Sequence, residues 1–169
     1  MPFNPTRFVR SLETHASQAE IDCLMQERPA YDSLTTPVQL ARWIAILMDD
    51  LNARLGVERA QAVMEDCGQQ CIGHSPLLRA QQIQRQAADL DDLLERLNQA
   101  HIGGGQLQRE GDTIHAAYPR CYCGSVSKTR QPISATYCQC SCGWFKRLFE
   151  TLLEKPVREY ALQFAVRAI

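Results

Sequence analysis

The sequence predicts an α+β fold: N-terminal helices packed on an antiparallel sheet, closed by a late C-terminal helix and a final strand. Three observations carry this. Apolar residues recur every three or four positions through 36–100, the period drops to two across 106–118, and glycine or proline marks the joints. Residues 1–102 form the helical part and 103–169 carry the sheet, a cysteine cluster and the late helix, all within one compact domain. At 169 residues the chain is long enough to bury a real core, and 45% hydrophobic content argues against disorder.

The first helix is expected to open at Asn4-Pro5 and run to about Met25, with Phe8, Leu12, Ala19 and Leu24 as its apolar positions. Cys23 stands alone there and reads as a small buried hydrophobe. Thr36-Pro37 is a helix start, and Trp43, Ile44, Leu47, Met48, Leu51 and Leu55 give the next helix its core stripe before Gly56 stops it. From Val57 another helix repeats Ala60, Val63, Met64, Cys67 and Cys71, which puts Cys67 and Cys71 on one face a turn apart. Such a pair is either small packing or a chelate, and the intervening Gly68 points to close approach by another element.

Ser75-Pro76 opens a helix to about Ala88, and Asp89 to Ala100 forms the next on a stripe of Leu90, Leu93, Leu94 and Leu97. Gly103-Gly104-Gly105 lacks the Lys-Ser/Thr of a phosphate loop and reads as a flexible joint. The hairpin follows, with arms Gln106–Arg109 and Thr113–Tyr118 around Glu110-Gly111-Asp112. Its second arm leads through Pro119 into Cys121-x-Cys123, and Cys138-x-Cys140-x-Cys142 comes shortly after. Taken as extended segments, each row presents its thiols to one side of a sheet. A helix is then expected from Gly143 to Leu153, broken by Pro156, before a last strand from Val157 to Ile169.

Charge and leader content narrow the classes. Between Thr113 and Phe149 lie Arg120, Lys128, Arg130, Lys146 and Arg147 and no acidic residue, so the cysteine region is electropositive. Five charges without interleaved aromatics make nucleic acid an unexpected partner. No stretch is apolar for the roughly 20 residues that span a membrane. Met1-Pro2-Phe3-Asn4-Pro5 also lacks the basic start and apolar run of a leader. A cytoplasmic location is therefore expected, and with it metal or redox chemistry rather than structural disulfides.

Two chemistries fit the thiols. The first is a metal site holding zinc or an iron–sulfur cluster, with Cys67, Cys71, Cys121, Cys123, Cys138, Cys140 and Cys142 as candidate ligands. His74, His101 and His115 are possible additions. The spacings match no CxxC knuckle, so the sequence does not select four of them. Arg120, Lys128 and Arg130 would offset the negative charge of a tetrathiolate zinc. The second is thiol catalysis. Cys142, at the apparent start of the Gly143 helix, is the candidate nucleophile, with Cys140 or Cys138 resolving and His115 as base. A plain packed face of reduced cysteines is the remaining reading.

The end of the chain, Cys142-Gly143-Trp144-Phe145 with its helix and then Lys155-Pro156-Val157, resembles the closing unit of the 4-vinyl reductase-like small-molecule-binding domains. The longer pattern runs from Met64-Glu65-Asp66-Cys67-Gly68 through Gly111-Asp112 and Tyr118-Pro119-Arg120-Cys121-Tyr122-Cys123-Gly124 to Tyr137-Cys138 and Gly143-Trp144. It is similar to an uncharacterised bacterial cysteine-rich family related to the L-2-amino-thiazoline-4-carboxylic acid hydrolase-like domains. Over residues 38–169 the resemblance implies an α+β ligand-binding or sensory module whose cysteines hold metal. Gln163 to Ile169 lacks the glycine and last cysteine usual in that family, so no role is carried to the terminus. The leading expectation is a metal- and/or small-molecule-binding module. The alternative is a cysteine-dependent enzyme, either a small-ring amide or thiazoline hydrolase or a thiol oxidoreductase. A small-molecule ligand is the expected partner, and a homodimer is left open.

Overall fold

The computed structural model describes residues 3–26, 30–117, 122–129 and 132–158. It holds seven helices and one two-stranded antiparallel sheet among those residues, an α+β chain dominated by helix. They fall into two compact units. The first draws on residues 3–71 and 122–144, the second on 72–117 and 145–157.

In the first unit, α1 (Pro5–His15) begins where Asn4 Oδ1 accepts from the Arg7 backbone N–H at 2.9 Å, with Pro5 in the first turn. The expected single helix to Met25 is in fact two. Ser17 and Glu20 form a reciprocal capping box that opens α2 (Gln18–Met25), and Ala16 just before it is extended. Cys23 lies on α2 and is exposed, so it is not the buried hydrophobe its isolation suggested.

Thr36 and Gln39 cap α3 (Pro37–Leu55) in the same reciprocal way, and α4 (Val57–Cys71) follows directly after Gly56. The apolar stripes of α1, α3 and α4 meet in one core. Phe8, Leu12, Ile44, Leu47, Met48, Leu51 and Val63 are all fully buried there. Phe3, Tyr31 and Trp43 close one side of it, with ring centroids 5.3–5.9 Å apart.

In the second unit, α5 (His74–Gln84) packs on α6 (Leu90–Gln99), which Asp89 caps through the Asp92 N–H at 2.9 Å. The glycine run is a tight 3-10 turn, Ile102–Gly105. Gly103, Gly104 and Gly105 all have φ between 76 and 89°, so the three glycines answer a left-handed backbone that side chains disfavour. The hairpin pairs β1 (Leu107–Glu110) with β2 (Thr113–Ala116), Leu107 opposite Ala116. Asn98 near the end of α6 acts as a partner strand for β1. Its Oδ1 accepts from Leu107 N–H at 2.7 Å and its Nδ2 donates to Leu107 O at 2.8 Å.

α7 (Ala135–Leu153) contributes its first part, to Trp144, to the first unit and the remainder to the second. In the second unit it buries Leu148, Phe149 and Leu152. Of the expected final strand, Val157 and Arg158 are described and neither is in a strand; the rest lies outside the described residues.

Candidate functional site: a buried sulfur cluster

The expected rows of thiols on a sheet are not what forms. Cys138, Cys140 and Cys142 lie on α7, where two residues turn the direction by about 200°. Cys138 and Cys142 therefore share a side and Cys140 points away from both. The helix wins because Tyr137, Cys140, Trp144, Leu148 and Leu152 repeat at three and four, and most of that stripe is buried. Cys123 sits in a run of turns from Cys123 to Thr129 rather than in a strand. Cys121, the other half of that expected row, lies outside the described residues.

Two glycines bring α4 and α7 together. A Cβ on Gly68 would collide with the carbonyl of Cys140, and a Cβ on Gly143 would collide with the carbonyl of Glu65. The helices thus cross backbone to backbone, each glycine facing the other helix. Gly68 is flanked by Cys67 and, three residues on, by Cys71; Gly143 follows Cys140 by three. This crossing fixes where the sulfurs go. Cys67 is buried in the core, and Cys140 and Cys123 pack against that same core.

The loop carrying Cys123 is tied down independently. Ser125 is buried, its Oγ accepting from Phe3 N–H at 2.9 Å and lying 2.8 Å from Tyr31 Oη. The Ser127 N–H closes back on Cys123 O at 2.9 Å. Cys123 Sγ itself lies 2.8 Å from the Tyr137 hydroxyl.

Electrostatics register the gathering. Burial pushes the Cys67 thiol up to about 12, with Cys71 the next contributor and the Arg7 side chain opposing them. Burial also holds the Cys140 thiol well above its ordinary value, and Cys123, Cys67, Cys138 and Cys71 each add to that. Cys140 thus feels four other sulfurs, drawn from two helices and a loop. The seven described cysteines are free thiols. Among the described residues no three Cys, His, Asp or Glu side chains stand as a ready-made ion cage.

The candidate nucleophile is placed otherwise than expected. Cys142 lies well inside α7 rather than at a helix N-terminus; its Sγ donates to Gln139 Oε1 at 2.9 Å and it is buried. His115 lies on β2 in the second unit, exposed, with Nε2 3.3 Å from Glu110 Oε2. His74 and His101 belong to that unit as well. Of the expected compensating cations, Lys128 is exposed, and Arg120 and Arg130 lie outside the described residues. The sequence reading missed Arg7 and Tyr137. Tyr137 carried a signal, since it stands immediately before Cys138 on a helical stripe.

The second unit holds an open groove of about 230 Å³ lined by Ala87, Leu90, Leu93, Leu152 and Leu153, with Gln84 and Asp89. Gln84 already bonds the carbonyl of Leu152, and Asp89 caps α6. The groove therefore offers few free polar groups to orient a ligand. Among the described residues no helix is long and apolar enough to cross a membrane.

Fold and candidate site together define a helix-rich α+β protein with a partly buried group of free cysteines. The chain belongs to a family of unknown function (DUF6144), which matches residues 17–161. No curated protein and no solved structure matches it.

Proposed function

We propose that the protein is a metal-binding module whose site is the sulfur cluster of α4, α7 and the 122–129 loop. The observation that carries this reading is the glycine-to-glycine crossing, which sets the helix bearing Cys67 and Cys71 against the helix bearing Cys140. Converging buried thiols oppose one another's ionisation, and burial opposes it further. A divalent cation reverses both effects, because thiolate is the ligand and its charge is then compensated. All-sulfur donors select zinc or an iron–sulfur cluster over hard cations.

Cys67, Cys71, Cys123 and Cys140 are the central candidate donors. The resemblance of the cysteine motifs to the 4-vinyl reductase-like and L-2-amino-thiazoline-4-carboxylic acid hydrolase-like domains favours the same reading, and extends it to a sensory or ligand-binding role.

The test is metal content per chain in protein purified without added metal. Near-stoichiometric zinc or iron is expected. Cys67→Ser and Cys140→Ser should each lose most of it, and Cys23→Ser, exposed on α2, should keep it. Metal-free wild type that also fails to take up zinc or iron under reducing conditions would overturn the reading.

A further inference from the structure

The outward face of α3 is patterned rather than uniformly polar. Of the large apolar side chains left exposed, Val38 and Ile46 both lie on this helix, 62% and 46% exposed. Arg42, Asp49 and Ala53 are exposed with them. At about 100° per residue these five positions fall within an arc of about 80°, a single stripe about 22 Å long. In order along the helix it reads apolar, positive, apolar, negative, apolar. One exposed valine or isoleucine is ordinary; their ordered alternation with opposite charges calls for a partner.

The charges are not matched within the chain. Arg42 and Asp49 stand two turns apart, and neither has an opposite charge three or four residues away, where helical pairs form. Among the described residues neither side chain forms an ion pair.

We propose that this stripe is the contact of a symmetric homodimer, in which α3 packs antiparallel on α3 of a second copy about a two-fold axis beside Ile46. That register sets Arg42 against the partner's Asp49, and Asp49 against the partner's Arg42. Val38 faces the partner's Ala53, and Ile46 meets its own counterpart at the axis. A two-fold contact uses one patch on both copies, so the patch must complement its own reverse, and this order of residues does. A parallel pairing would set Arg42 on Arg42 and Asp49 on Asp49, so like charges select the antiparallel one. Helices crossing at about 20° keep such stripes together along their length. A single helical stripe is a small contact beside the roughly 1,200–2,000 Å² of a stable interface, so the association is reversible and follows concentration.

Sedimentation equilibrium of the full reduced chain, from micromolar to millimolar concentration, tests this. The wild type should pass from monomer to dimer over that range. Arg42→Glu and Asp49→Lys should each weaken self-association by roughly tenfold or more, since every reversal acts twice across the axis. An equimolar mixture of those two variants should associate again, because each chain then meets the opposite charge at both places. Ile46→Lys, which brings two ammonium groups together at the axis, should stay monomeric. All three positions are exposed, so each variant should keep its fold.

A wild type still monomeric at millimolar concentration would overturn the proposal, and so would a dimer that Ile46→Lys leaves intact. Charge-reversed variants that dimerise as tightly as the wild type would overturn the antiparallel register. A mixture that fails to re-form the dimer would do the same.

Discussion

Asn52 caps a helix that is not its own. From α3 its Nδ2 donates to Ser134 Oγ at 3.2 Å, and its Oδ1 accepts from Thr136 Oγ1 at 2.9 Å; Ser134 Oγ also accepts from the Thr136 backbone N–H. The first turn of α7, and hence the place of Cys138 and Cys140, depends on this exchange. Asn52→Leu leaves the buried Thr136 hydroxyl without its acceptor. It should destabilise the protein by about 1–3 kcal/mol in denaturant unfolding. Glu20 gives a residue-scale pH effect. Hydrogen bonding from Arg59, and then from the Ser17 backbone, lowers its pKa from 4.5 to about 2. A lowered carboxyl pKa stabilises the folded state above the unfolded value, and that contribution is lost as pH falls from about 4.5 through about 2. Glu20→Gln should flatten the acid limb of a stability–pH curve over that window, with the variant less stable than the wild type near neutrality and converging with it at acid pH.

Among the elements, α7 separates what the sequence made legible from what it did not. The spacing of Cys138, Cys140 and Cys142 at two suits a strand, and Gly143 reads as a helix start. Both signals misled, because Cys138 and Cys142 are also a helical pair and Gly143 serves contact inside α7 rather than its start. The long stripes of α3 and α4 were legible, as were the Thr36 and Asp89 starts and the hairpin, since each carries its own cap or period. Gly68 was legible as a point of close approach; the element approaching it was not, because that pairing is non-local. The break at Ser17 escaped because a capping box can sit inside a continuous apolar run. Gly143→Ala should therefore be severe, as the added methyl meets backbone that cannot step aside. A loss of more than about 2 kcal/mol is expected in chemical unfolding. Gly124→Ala, which has open space around it, should stay within about 0.5 kcal/mol. Equal effects would argue against the crossing.

At the scale of the molecule, the chain divides its work between two units. The thiol cluster belongs to the first; the hairpin, the groove and three of the histidines belong to the second. A ligand that binds only the folded site stabilises the fold by mass action, about 2.7 kcal/mol at a hundred times its dissociation constant. Zinc should then raise the melting temperature of the reduced protein and a chelator should reverse it, both effects vanishing in Cys67→Ser. A melting temperature indifferent to zinc would weaken the link between the cluster and the fold.

X-ray absorption at the zinc edge of the reconstituted protein reads the donor set directly. The crossing of α4 and α7 predicts a first shell of sulfur alone, at the ~2.3 Å typical of zinc–thiolate bonds, that is lost in Cys140→Ser. A shell of nitrogen and oxygen, or one that Cys140→Ser leaves intact, would contradict it.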